Sequence, residues 1–445
     1  MKLNISLQKL ATITDGVLHA KDPQRKIQSF VTDSRVITAG DSFWALRGNT
    51  HDAHNFIGQV IKQGATFVVG ETGRFKPLQD VDYLEVKNTL KALQELAKYH
   101  RLNNLLKVAA ITGSNGKSTT KQMLKSICSQ AGETVANLGN FNNQFGVPFS
   151  LLEIQPQHEY GVFELGASHP GDIQETASLV VPDVAVITNV SAAHLEFFKD
   201  LETVYKTKTE IVACLASAGT LVYNSDDVLL SRLEEYKGKS ISFGFNPQAD
   251  LRILETDNFS FVYKDMTYAI DVDLQRHDKL NAAAACAAAI GMGIFMDKIK
   301  QGLLSFTPMP MRMQRMQRGN TTFILDCYNA NPASMQNALH ILGEQSHAPR
   351  IAVLGDMREL GETSKYYHRL IAQWLLDNAI DYAFLAGTEM KYAADELKGN
   401  SALKIYYAKT PQEWTADLKK LTAKGGVCLL KASRGMQFEN IMKEI

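Results

Sequence analysis

Apolar and polar positions alternate along this chain with two distinct periods. Short apolar runs at 43–46 and 65–70 flank a stretch at 53–63 with helical spacing, so the first block reads as strand, helix, strand. Leu90, Leu93, Leu96 and Ala97 then mark one face of an amphipathic helix. From residue 108, apolar strands at 108–112, 160–165, 184–190 and 220–223 alternate with helical patterns, among them 201–216, as a parallel sheet built of βαβ units requires. Residues 307–313 interrupt the alternation, because Pro308 and Pro310 cannot sit inside a helix or a central strand. Beyond them, strands at 322–325, 351–354, 382–385, 404–407 and 427–430 alternate with helical stretches such as 365–377 and 413–423. The pattern predicts an α/β protein of three domains. These are a small N-terminal α/β domain (1–82), a central parallel-sheet domain (83–310) and a C-terminal Rossmann-like domain (311–445).

Composition narrows the class. At roughly 100–200 residues per domain, 445 residues accommodate such a division. Lys+Arg and Asp+Glu both number 47, which removes any broad electrostatic pull on nucleic acid or an anionic membrane and leaves only a local basic cleft open. The longest charge-free apolar run, 282–295, is too short to span a bilayer, and the first residues lack the apolar core of a signal peptide. Cys128, Cys214, Cys286, Cys327 and Cys428 are far apart, without zinc-ligand or redox spacing, and read as buried thiols in a reducing compartment. A cytoplasmic protein binding neither nucleic acid nor membrane is expected.

Gly113-Ser114-Asn115-Gly116-Lys117-Ser118 directly follows the predicted strand 108–112 and precedes a helix patterned by Met123, Leu124, Ile127 and Cys128. In such a loop the glycines let backbone N–H groups converge on phosphate oxygens, and the helix N-terminus adds partial positive charge. Lys117 would neutralise β/γ-phosphate charge, and the Ser118 hydroxyl is within reach of a phosphate-bound Mg²⁺. The middle domain is thus expected to be P-loop ATPase-like. A plain Gly-rich turn would need neither Lys117, Ser118 and Thr119 nor the strand-before, helix-after setting.

Glu164 ends one predicted strand and His194 follows another, so in a parallel sheet both would open on the edge that carries the phosphate loop. A carboxylate and an imidazole there are plausible Mg²⁺ ligands, but each residue taken alone reads equally as a surface carboxylate and an ordinary loop histidine. Lys208 falls on the apolar stripe of the predicted helix 201–216 with Leu201, Val204, Ile211, Val212 and Leu215. From periodicity alone it reads as a lysine whose stem covers apolar surface. The other reading is an amine of depressed pKa, able to take up CO₂ as a metal-binding carbamate.

Together these residues resemble the Mur ligase family, the ATP-dependent amide-forming enzymes of peptidoglycan precursor synthesis. The matching segments are Asp33-Ser-Arg35, 113–121, 140–148 (NFNNQFGVP), 164–170 (ELGASHP), 188–196 (TNVSAAHLE), 208–211 (KTEI), 277–284 (HDKLNAAA), Arg312-Met-Gln314, 326–332 (DCYNANP), 355–361 (GDMRELG) and 431–436 (KASRGM). The resemblance implies ATP and two Mg²⁺ sites, with UDP-N-acetylmuramoyl-tripeptide and D-alanyl-D-alanine as substrates; a monomer is expected. Gly113, Ser114, Asn115, Gly116, Lys117, Ser118 and Thr119 would cradle the phosphates. Ser118 and Glu164 would hold one Mg²⁺, and His194 with a carbamylated Lys208 would serve the other, which reverses the periodicity reading of Lys208. Asn281 is expected near the adenine. Arg312 and Asp326, from the third domain, would complete the ATP site when the domains close. Ser34 and Arg35 would meet the UDP-sugar in the first domain. Asn143, Tyr328, Asn331, Lys431, Ser433 and Arg434 are expected on the substrate side, where the third domain takes the incoming dipeptide. Two departures stand out: Met311 precedes Arg312 where a small residue such as Gly is expected, and Ala432 precedes Ser433 where the family often has Gly.

Three other readings differ in residues. A diaminopimelate-adding member of the family would carry an Asp-Asn-Pro-Arg segment, which is absent here. A folylpolyglutamate synthase would place its phosphate loop much nearer the N-terminus. A nucleotide-dependent switch protein would not need Glu164, His194 and Lys208 together.

Overall fold

The computed structural model describes residues 2–48, 51–76, 78–192 and 195–445. Among these residues a nine-stranded central sheet runs in the order Met266–Asp273, Asn258–Tyr263, Leu251–Ile253, Lys239–Gly244, Thr220–Asn224, Val184–Ile187, Lys107–Thr112, Tyr160–Glu164, Thr134–Ala136. The last seven of these are mutually parallel, and the first two form an antiparallel extension. Alternation along Lys107–Thr112 explains how the sheet is covered. Val108 and Ala110 join a core with the helices Thr89–Leu102 and Asp172–Val180, whereas Ala109 and Ile111 join a second core on the opposite face with Lys117–Cys128 and Arg276–Gly291. Buried on both faces, the stretch 108–111 is continuously apolar rather than alternating in polarity.

The apolar run 282–295 lies mostly in the helix Arg276–Gly291, where Ala282–Ala289 are fully buried. Small side chains on every face let this helix lie close to its neighbours. No described helix is long and apolar enough to cross a membrane.

The C-terminal sheet has the order Gln314–Arg318, Thr321–Leu325, Gly426–Lys431, Arg350–Gly355, Tyr382–Ala386, Lys404–Ala408, antiparallel at its first strand and parallel beyond. Gln314–Arg318 was not anticipated: it is a largely exposed edge and carries no apolar signal. The first unit holds a four-stranded sheet, Val17–His19, Asp82–Val86, Phe67–Glu71, Ser42–Trp44, and a two-stranded ribbon, Lys2–Ser6 with Lys26–Ser29. Because Asp82–Val86 pairs along its length with Phe67–Glu71, this sheet runs past residue 82, where the pattern had put its end. One apolar core then continues from this sheet into the central domain, and Trp44 Nε1 donates to Thr89 O at 2.9 Å across the junction.

Two helices are shorter than their periodicity suggested. The pattern at 53–63 divides into a 3₁₀ turn, Ala53–Phe56, and the helix Ile57–Lys62, and that at 201–216 into Leu201–Thr209 and the 3₁₀ turn Glu210–Cys214. All five cysteines are free thiols, and Cys214 is half-buried rather than buried.

Candidate active site

The strand Lys107–Thr112 ends at Gly113 (φ +141°), and the helix Lys117–Cys128 starts from Gly116 (φ +79°). Neither position admits a side chain. A Cβ on Gly113 would lie 2.0 Å from Thr188 Oγ1, and one on Gly116 2.2 Å from Asn281 Oδ1. The loop between them is anchored from the neighbouring strand end: Thr188 Oγ1 donates to Asn115 O at 2.6 Å, and Asn115 N–H donates to Asn189 Oδ1 at 3.0 Å. Lys117 Nζ donates to Gly113 O (2.7 Å) and Ser114 O (3.0 Å). Burial lowers its pKa; Glu164 opposes that shift and Arg312 adds to it.

Glu164 terminates the strand Tyr160–Glu164 one position across from Lys107–Thr112 and points at the same helix. Its Oε2 accepts from Ser118 Oγ at 2.7 Å and lies 3.7 Å from Lys121 Nζ; its Oε1 accepts from Asn142 Nδ2 at 2.9 Å. Burial would raise the Glu164 pKa, but Lys117, Lys121 and the hydrogen bonds from Ser118 and Asn142 outweigh it and hold the carboxyl below its usual range. The group is therefore an anion in a nearly closed setting.

The C-terminal domain reaches this cluster directly. Arg312 Nη2 donates to Ser118 Oγ at 2.9 Å, and Asn331 Nδ2 donates to Asn115 Oδ1 at 2.8 Å. Asp326 accepts from Met313 N–H at 3.3 Å and pairs with the buried Lys431 at 2.5 Å. A cavity of about 1380 Å³ opens between the two domains, lined by the phosphate loop, Glu164 and Asn281 on one side and by Arg312, Asp326 and Asn331 on the other.

Family comparisons match the chain in three stretches: the Mur ligase family catalytic domain at residues 26–101, the Mur ligase middle domain at 111–289 and the Mur ligase glutamate ligase domain at 311–434. The UDP-N-acetylmuramoyl-tripeptide–D-alanyl-D-alanine ligase of Escherichia coli is 33% identical over 457 aligned residues, covering 100% of this chain and 98% of that protein. The chain belongs to the Mur ligase family. A crystal structure of MurF from Acinetobacter baumannii superposes with a TM-score of 0.92 at 33% identity, covering 100% of this chain and 99% of that one. MurF ligase from Thermotoga maritima, solved in complex with ADP, superposes with a TM-score of 0.84 at 28% identity, covering 93% and 96%.

In this Mur ligase the residues singled out from sequence are unevenly distributed. Ser114, Asn115, Gly116, Lys117, Ser118, Thr119, Glu164, Asn143, Asn281, Arg312, Asp326, Tyr328, Asn331, Lys431 and Arg434 all line the one cavity, while Gly113 is buried beneath it. Asn143 Oδ1 also accepts from Gly146 N–H at 2.9 Å, so it shapes its own loop. Lys208 is not on the cavity wall. It is 2% exposed, with its Nζ 5.7 Å from the centre of the Phe198 ring, and burial together with the charge of Lys117 pulls its pKa down to about 7. Ser433 does not line the cavity either: it is buried, and its Oγ accepts the Arg358 N–H at 2.8 Å. Ser34 and Arg35 lie apart in the first domain, where Arg35 is 85% exposed and paired with Asp33 at 2.6 Å. His194 lies outside the described residues.

Three side chains were overlooked: Lys121, Asn142 and Asn137, whose Nδ2 donates to Glu164 O at 3.2 Å. Lys121 follows Lys117 by one helical turn, a spacing that could have placed it on the same face. Asn142 sits inside the segment 140–148, which had already been marked. Asn137 left no signal.

Proposed function

We propose that this chain is an ATP-dependent ligase that joins UDP-N-acetylmuramoyl-tripeptide to D-alanyl-D-alanine through an acyl phosphate. The observation that carries this reading is the end-to-end correspondence with ligases of that name, supported by a phosphate loop, an ionised carboxylate and an arginine from another domain meeting at one cavity. The ADP complex of the Thermotoga maritima ligase supports ATP as the energy source.

The tripeptide carboxylate attacks the γ-phosphorus of ATP and displaces ADP, giving the acyl phosphate. The dipeptide amine then attacks the acyl carbon, phosphate leaves, and the amine gives up a proton to leave the amide. Negative charge gathers on oxygens in both steps, so fixed positive charge is the largest catalytic need and positioning the second. Lys117 and the N-terminus of Lys117–Cys128 supply that charge at the loop, and Arg312 brings more from across the cavity. Asn281 would meet the adenine and Asp326 the ribose, while Ser34 and Arg35 would hold the UDP-sugar. An exposed acyl phosphate hydrolyses, so the C-terminal domain also serves to exclude water.

The Ser118 hydroxyl and Glu164 carboxylate are adjacent hard oxygen donors and fit a Mg²⁺ that takes its remaining ligands from phosphate and water. Bound there, the ion would neutralise phosphate charge. An ammonium cannot ligate a cation, so Lys208 could serve a second Mg²⁺, with His194, only after its neutral amine adds CO₂ and releases a proton to give a carbamate. A pKa near 7 makes that amine available at neutral pH. The need for ATP points to the cytoplasm.

The test is ADP release with ATP, Mg²⁺ and UDP-N-acetylmuramoyl-tripeptide, with and without D-alanyl-D-alanine, followed by the mass of the product. Acceptor-dependent ADP release and a pentapeptide product are expected. ADP release indifferent to the acceptor, with no amide formed, would overturn the reading.

A further inference from the structure

Tyr328 stands in the loop after the strand Thr321–Leu325, and two contacts tie it to the linker between domains. Its ring lies beneath the Arg312 guanidinium, 4.1 Å from ring centre to guanidinium carbon. Its backbone N–H donates to Met311 O at 3.2 Å, one residue before that arginine. The linker is itself unusual, because Met311 (φ +60°) and Met313 (φ +49°) are both left-handed without being glycine. Arg312 thus projects from a bent backbone whose carbonyl on one side and N–H on the other are held by Tyr328 and Asp326. Its Nη2 reaches Ser118 in the phosphate loop, while its buried Nε has no hydrogen-bond partner among the described residues.

An arginine side chain loses considerable rotamer entropy when it is held in one place, and one hydrogen bond to a serine does not fix the plane of the fork. The ring does. We propose that Tyr328 is a positioning residue for Arg312: the aromatic face orients the guanidinium toward the Ser118 end of the phosphate loop, so that Tyr328 governs nucleotide affinity through the arginine. This gives Tyr328 a role other than direct contact with the peptide substrate. It rests on the reading of the cavity as the ATP site of a ligase.

The role is separable from a structural one by a double-mutant cycle on the full chain, with ADP binding measured by calorimetry and ATP KM by the coupled assay. A cation–π contact between half-buried partners falls between the exposed and the fully desolvated case, which makes a loss of about tenfold in ADP affinity the expected result for Tyr328→Leu. Tyr328→Phe keeps the ring face and should lose less than the leucine variant. In an Arg312→Ala background, Tyr328→Leu should add less than about twofold, because the group it orients is gone. The KM for D-alanyl-D-alanine should shift less than that for ATP. Losses that multiply in the double variant, or a phenylalanine variant as impaired as the leucine one, would overturn the proposal. If Tyr328→Leu does not fold, Tyr328→Met, which fills the space without a π face, runs the same cycle. Product formation by the wild type judges the ligase reading separately: an active wild type with multiplying losses removes the positioning role and leaves that reading standing.

Discussion

Lys208 is a buried amine whose pKa near 7 leaves it divided between charged and neutral forms at neutral pH. Only the neutral form takes up CO₂, so the carbamate proposal makes the side chain a carrier of an added carboxylate. Lys208→Ala should then lose most ligase activity and recover part of it when acetate or formate is titrated in, with no such gain for the wild type. Initial rates of ADP release across that titration check it, and a flat response would remove the carbamate. His368 offers a different titration. It is fully buried in the helix Ser364–Asp377, accepts the Met357 N–H on Nε2 at 3.0 Å and sits 2.8 Å from Ser364 O through Nδ1. Burial pushes its pKa down, and Asp356, Glu389 and the bond to Ser364 only partly offset this. The unfolded chain therefore binds a proton that the folded chain refuses. Stability from this group is present above the unfolded imidazole pKa, about 6.5, and falls as the pH drops below it. Urea midpoints measured from pH 7.5 to 5 should decline less steeply for His368→Gln than for the wild type.

At the scale of elements, the phosphate-loop helix Lys117–Cys128 is set by what lies behind it. Gly302, in the helix Met296–Leu304, packs so closely that a Cβ there would fall 2.3 Å from Ile127 Cα. Backbone cannot yield as a flexible side chain does, so Gly302→Ala should cost about 1–3 kcal/mol in chemical unfolding despite the better helix propensity of alanine. An unchanged or raised midpoint would mean that the two helices separate freely. Such a contact joins residues 175 positions apart, and this marks the limit of what could be read from the sequence. The phosphate loop was legible because its strand, glycines, lysine and helix are contiguous and each has a local physical reason. The parallel strands were legible because burial on both faces makes them continuous apolar runs. Gln314–Arg318 was not, since an exposed edge strand looks like any polar segment. The pairing of Asp326 with Lys431 was equally hidden: each reads locally as a free charge for a ligand, and only the adjacency of the strands Thr321–Leu325 and Gly426–Lys431 turns them on each other. The Ser433 contact was hidden in the same way, its hydroxyl accepting from a loop 75 residues away.

In the whole molecule, the C-terminal domain meets the phosphate loop through Arg312 and through Asn331, and the asparagine holds two positions at once. Its Oδ1 accepts from Ser334 N–H at 2.9 Å and so caps the helix Pro332–Gly343, while its Nδ2 crosses to Asn115 Oδ1. These functions can be divided by chemistry. Serine is a good helix cap but has neither the length nor the amide to reach the other domain, whereas alanine loses both contacts at a cost of about 1 kcal/mol from the cap alone. Asn331→Ser should therefore unfold at the same temperature as the wild type, and Asn331→Ala lower. If this contact helps keep the third domain over the acyl phosphate, both variants should leak: ADP release without D-alanyl-D-alanine should rise several-fold relative to amide formed, because water reaches an intermediate that closure protects. Equal leakage in two variants of different stability would separate the interdomain bond from the cap. Tight coupling in Asn331→Ser would instead leave Arg312 and the linker as the elements that hold the domains together.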